Sequence, residues 1–144
     1  MENDVSVKSL SKKYGALERG ILLNSKKVLK YTKRKNLALE IFIVSDERIK
    51  ALNARFRGKN KSTNVLSLEL RDWPAFVKRG KSFRPIGEVY LAPDYICRRE
   101  ESLEKMLIHG ILHLLGYDHQ KKGDSIRMER LEKRVFRACG FRVL

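Results

Sequence analysis

A chain of 144 residues is the size of one ordinary domain and can bury a core of its own. Its 32 lysines and arginines against 17 acidic residues give a formal net charge of +15. That balance favours a polyanion, nucleic acid first, over a neutral small molecule, with solubility alone as the bland alternative.

No run is long and apolar enough for a membrane-spanning helix, and the charged, broken N-terminus does not read as a secretory signal. Cys97 and Cys139 lack CxxC or zinc-ribbon spacing. The expectation is a cytoplasmic protein without a membrane partner, with both cysteines as core thiols in a reducing compartment.

In chain order, residues 3 to 8 read as a short edge strand. Leu17 to Tyr31 places apolar residues at Leu17, Ile21, Val28 and Tyr31, which predicts an amphipathic helix with a basic outer face. Leu37 to Val44 is short and rich in branched residues, as a buried strand should be. Asp46 is the expected cap of a helix from Glu47 to about Phe56, with Ile49, Leu52 and Phe56 on its core side. Thr63 to Leu70 reads as a strand and Arg71 to Pro85 as a surface loop. Gly87 to Ala92 is the next strand. A helix begins near Pro93, a second runs from Ser102 through the histidines, and a last one spans Gly123 to Ala138. There are no repeats or linkers. The predicted fold is therefore α+β (or α/β): one domain over residues 1–144, a small mixed sheet covered by helices.

Basic residues cluster in three places: Lys26 to Lys35, Arg55 to Lys61, and Lys78 to Arg84. The chemistry concentrates elsewhere. All three histidines lie in the run His109-Gly-Ile-Leu-His113-Leu-Leu-Gly116-Tyr-Asp-His119. His109 and His113 are four apart, so on a helix both rings leave one face about one turn apart. A glycine just past the helix can take positive φ and turn the chain, letting His119 swing back. Three imidazoles with an open fourth position describe one catalytic zinc ion, although nickel or another divalent ion also suits imidazole. The competing reading, buried hydrogen-bonded histidines, explains neither the spacing nor the glycine. The same spacing occurs in metzincin proteases, where the residue after the first histidine is the glutamate base. Here that residue is Gly110, which carries no proton and disfavours peptide hydrolysis.

The run HGILHLLGYDH closely resembles the signature of the YbeY family of bacterial endoribonucleases. Leu52-Asn53-x-x-Phe56-Arg57-Gly58-Lys59, followed by Thr63-Asn64-Val65-Leu66-Ser67, is similar to a second block of that family. Gly87-Glu88-Val89 is similar to a third. The resemblance covers about residues 37 to 120. Asn64 and Glu88 stand where the family has aspartate, and Leu68 where it has phenylalanine.

The resemblance implies a zinc-dependent endoribonuclease that prefers single strands and associates with the small ribosomal subunit. Its implied role is maturation of ribosomal RNA at the small-subunit 3′ end, and ribosome quality control. It makes the three histidines ligands and Arg57 the important arginine. A guanidinium there either stabilises charge growing on the phosphoryl oxygens or merely contacts a phosphate in the ground state. Asp118 either orients a ligand histidine or caps the turn after Gly116. Glu88 is a second candidate for orienting a ligand, and Ser67 for lining the cleft. Lys59, Lys61 and Trp73 are candidate RNA contacts, with Tyr117 and Phe56 as further aromatics; for Phe56 a core position is the better expectation. With glycine at 110 no general base is evident, so the nucleophile is either a metal-activated water or the RNA 2′-OH. The alternatives are a ribosome-assembly factor with structural zinc and a zinc hydrolase of another substrate.

Overall fold

The computed structural model describes residues 3–70, 83–117 and 122–140. The strands are β1 (Asp4–Ser9), β2 (Leu37–Ile43), β3 (Val65–Glu69) and β4 (Arg84–Leu91). A 3-10 turn (Lys12–Leu17) precedes α1 (Glu18–Tyr31). The other helices are α2 (Asp46–Arg57), α3 (Pro93–Arg98), α4 (Leu103–Leu114) and α5 (Lys122–Ala138). The four strands form one mixed sheet in the order β1-β2-β4-β3. β1 and β4 run parallel to β2, and β3 is antiparallel to β4. A mixed sheet under helices is the fold class the sequence predicts.

The alternation of β2 builds the core. Leu37, Leu39, Ile41 and Ile43 are buried on one face, while Glu40 between them is exposed. That buried face meets Ile21, Val28 and Leu29 of α1 and Leu107, Ile108, Ile111 and Leu112 of α4. A smaller cluster on the other face joins Ile49 of α2 to Val44, Leu66 and Ala92. Burying a single such aliphatic side chain is worth about 1.5–3 kcal/mol, so the layer in which α1 and α4 pack side by side on one face of the sheet carries more of the burial than the α2 face. Among the described residues no helix is long and apolar enough to cross a membrane.

Local chemistry moves several predicted boundaries. The cap of α2 is Ser45, whose hydroxyl accepts from the Arg48 amide at 3.3 Å. Asp46 is already helical and pairs instead with Arg98. The predicted loop ends earlier than Pro85, because β4 begins at Arg84. Pro85 cannot donate to a ladder, and the β2–β4 register shifts beside it, between Ala38 and Leu39. The rest of that loop, Trp73 included, lies outside the described residues. The cysteines differ from the expected core thiols: Cys97 is exposed on the short α3, and Cys139 is half-buried.

Candidate active site

The histidine helix owes its position to two features. Ser102 caps it, accepting from the Lys105 amide at 3.2 Å. Leu107, Ile108, Ile111 and Leu112 are then buried on successive turns, which leaves one face of α4 for His109 and His113. The two rings lie 5.6 Å apart, centre to centre, at 66°.

Gly110 explains how closely this helix approaches the sheet. A Cβ there would lie 2.9 Å from Val89 Cγ1 and 3.0 Å from Val65 Cγ2. Its carbonyl accepts from the Ser67 hydroxyl at 2.9 Å. The residue between the histidines' turns therefore faces β3 and β4. It lacks a carboxylate, and the packing leaves no room for one.

Across from the histidines stands the end of α2. The block Leu52 to Lys61 divides its labour by residue. Leu52 packs on the smaller apolar cluster. Asn53 is buried and its amide donates to the Lys61 carbonyl at 2.9 Å, which fastens the following loop to the helix. Gly58 then ends the helix with φ +70. Phe56, expected in the core, is instead 52% exposed, with the Arg55 guanidinium 5.3 Å from its ring centre. By this last turn the helix has passed the small apolar cluster, and Phe56 belongs to neither cluster.

Arg57, Asn64, Ser67, Met106, His109 and His113 share one cleft of about 270 Å³. Two segments distant in sequence thus bring the expected arginine and two expected ligands together. Lys59 and Lys61 are exposed on the loop beside it. The unusual Asn64 has a partner that accounts for it. Its amide donates to Glu101 Oε1 at 3.1 Å, while its Oδ1 accepts from the Val65 amide at 2.7 Å. An aspartate there would oppose the Glu101 carboxylate.

Glu88 does not reach the histidines. Strand alternation sends Val89 toward Gly110 and Glu88 to the opposite face. There it accepts from the Tyr90 phenol at 2.9 Å. Burial and that hydrogen bond push the Tyr90 phenol well above its ordinary pKa, and burial followed by the neighbouring Glu88 charge raises Glu40. Glu88, expected beside the ligands, thus lies across the sheet from the cleft. Tyr117 packs on the main core rather than standing clear for stacking. Gly116 does take positive φ, at +98, where the sequence calls for a turn. Asp118 and His119 lie outside the described residues.

The acidic partner of a histidine comes from elsewhere. Glu132 on α5 places Oε2 2.5 Å from His109 Nδ1. No spacing rule links residues 23 apart, although an acid within the apolar stripe of the last helix was a visible signal. Among the described residues no three or more potential ligands converge on one point. The donor chemistry nevertheless fits a borderline divalent ion. Two imidazoles sit on consecutive turns, and the carboxylate engaging one ring from behind is the usual companion of a ligand histidine.

Comparison with known proteins covers nearly the whole chain. The sequence model of the family described as endoribonuclease YbeY matches residues 1–140. A protein of Buchnera aphidicola named endoribonuclease YbeY is 36% identical over 142 residues, covering 93% of this chain and 83% of the relative. Like-named proteins of an Anaeromyxobacter species and of Rhizobium etli are 38% and 39% identical over 74% and 71% of this chain. The matched stretches span only 57% and 63% of those two relatives, less than two thirds of their length. The solution structure of a Thermotoga maritima protein matches with a TM-score of 0.52 at 26% identity, covering 92% of this chain and 89% of that one. Both walls of the cleft fall inside the matched region, and the chain belongs to the endoribonuclease YbeY family.

Proposed function

We propose that the cleft is the active site of a metal-dependent endoribonuclease acting on single-stranded RNA. Its proposed substrate is small-subunit ribosomal RNA in the cytoplasm, met on the ribosomal particle. The observation that carries the reading is the meeting of Arg57 with two imidazoles one helical turn apart in one cleft. The net charge of +15 and the family's name agree with it.

His109 and His113, with His119 from the sequence pattern, would hold one zinc ion. Bound there, zinc supplies Lewis acidity toward a phosphoryl oxygen or a water. The remaining roles fall to the chain itself. Arg57 is permanently charged and presents a planar fork of donors, suited to non-bridging phosphate oxygens whose charge grows in the transition state. Ser67 spends its proton on the Gly110 carbonyl, so its part is to hold β3 against α4. Lys59 and Lys61 extend the positive surface along a single-stranded backbone, and exposed Phe56 offers a ring to an unstacked base.

The test is cleavage of a single-stranded RNA by zinc-loaded protein, alongside His113→Ala and Arg57→Ala. The reading expects cleavage by the wild type and severe loss in both variants. Ribosome binding without any cleavage would favour an assembly factor with structural zinc. Peptide or ester hydrolysis without RNA cleavage would favour another hydrolase.

A further inference from the structure

The last helix carries an acid where its packing calls for an apolar residue. On α5, Met128 and Val135 are buried, one turn before and one turn after Glu132. Glu132 therefore lies on the stripe that faces α4, and its side chain is only 24% exposed. A carboxylate in such a position costs stability unless it is hydrogen-bonded. Its partner is His109, itself 28% exposed, through Nδ1 at 2.5 Å.

That contact has a chemical consequence. A neutral imidazole carries one proton, and a carboxylate acceptor at Nδ1 holds the proton there. The lone pair then belongs to Nε2, the nitrogen on the far side of the ring. The hydrogen bond also fixes the ring's rotation, since an acceptor at this distance allows few orientations. In that orientation the His109 ring lies at 66° to the His113 ring, 5.6 Å away centre to centre.

We infer that Glu132 is the positioning residue of the metal centre: it selects the His109 tautomer and aims Nε2 into the cleft from a helix that contributes no ligand. This rests on the reading of the histidines as metal ligands. It also gives α5 a task beyond packing, because α5 carries the buried residues that set where Glu132 sits. Outer partners of ligand histidines affect metal affinity by about 10–100-fold, so the contact belongs to the centre's function as much as to the fold.

Two substitutions separate positioning from structure. Glu132→Leu removes the acceptor but suits the apolar stripe, so packing alone predicts metal-free protein at least as stable as the wild type. Glu132→Gln keeps an acceptor and the shape but loses the charge. Zinc affinity is read by competition with a chromophoric chelator, and the His109 tautomer by nitrogen-15 spectra of the metal-free protein. The expected order of affinity is wild type, then Gln, then Leu, with Leu weaker by about 10–100-fold. In the Leu variant the His109 ring should also lose its preference for the Nδ1 proton.

Wild-type affinity and an unchanged tautomer in Glu132→Leu would overturn the inference and leave the metal centre standing. A wild type that binds no zinc would instead overturn the reading on which the inference depends.

Discussion

The histidine wall of the cleft and the arginine wall are made by different physics. His109 and His113 ride on a helix buried on most sides, seated on the sheet through Gly110 and clamped by Ser67 and Glu132. Arg57 sits in the exposed last turn of α2, beside an exposed Phe56 and a loop fastened by the Asn53 side chain. One wall is packed into the core behind its histidines, with Glu132 against one ring; the other is charged, solvated and open. A metal ion needs donors held to tenths of an ångström, whereas a flexible polyanion needs reach and charge. The contrast agrees with the proposed division, metal binding on one side and capture of a single strand on the other.

Substitutions on the two walls should therefore fail differently. The largest effect expected is for Arg57→Ala, which should lower kcat for RNA cleavage by about 10²–10³-fold, the cost of losing one donor to transition-state charge. Folding and zinc content should not change. A rise in KM with unaltered kcat would reduce Arg57 to a ground-state phosphate contact.

Gly110→Ala comes next and should act on the other wall through structure. The added methyl meets Val89 and Val65 at about 3 Å, so overpacking should cost about 1–3 kcal/mol in denaturant unfolding. Unchanged stability would mean that α4 can lift off the sheet freely.

Phe56→Ala should weaken binding of single-stranded RNA by about 1 kcal/mol or somewhat more, as for a lost base–aromatic stack, without destabilising the fold. A marked drop in melting temperature would return Phe56 to the core. Smallest of all, Lys59→Gln and Lys61→Gln should each reduce the slope of log affinity against log salt by about 1, uniformly across sequences. An unaltered slope would take those lysines out of the RNA path.

Much of both walls is legible in the residues themselves. The four-residue spacing of the histidines already requires one helical face, and the Leu52 to Lys61 block already joins an arginine to a helix end. Period-2 alternation puts Glu88 and Val89 on opposite faces of the sheet, but only the contact of Val89 with Gly110 shows which face meets the histidine helix. Gly110 shows a subtler limit. Its lack of a proton-carrying group is plain in the sequence, but its contact with Val65 and Val89 appears only once the chain is folded. Phe56 misleads because Ile49, Leu52 and Phe56 keep helical spacing while the helix runs past the cluster that would have covered its last turn. The pairing of Asn64 with Glu101 and of His109 with Glu132 depends on tertiary packing between elements, to which local patterns are blind.

The central claim is that α4 holds a metal ion facing Arg57, and elemental analysis tests it most directly. Protein loaded with zinc and freed of excess should carry one ion per chain, and His113→Ala, folded by circular dichroism, should carry almost none. Stoichiometric zinc retained by that variant would contradict the account.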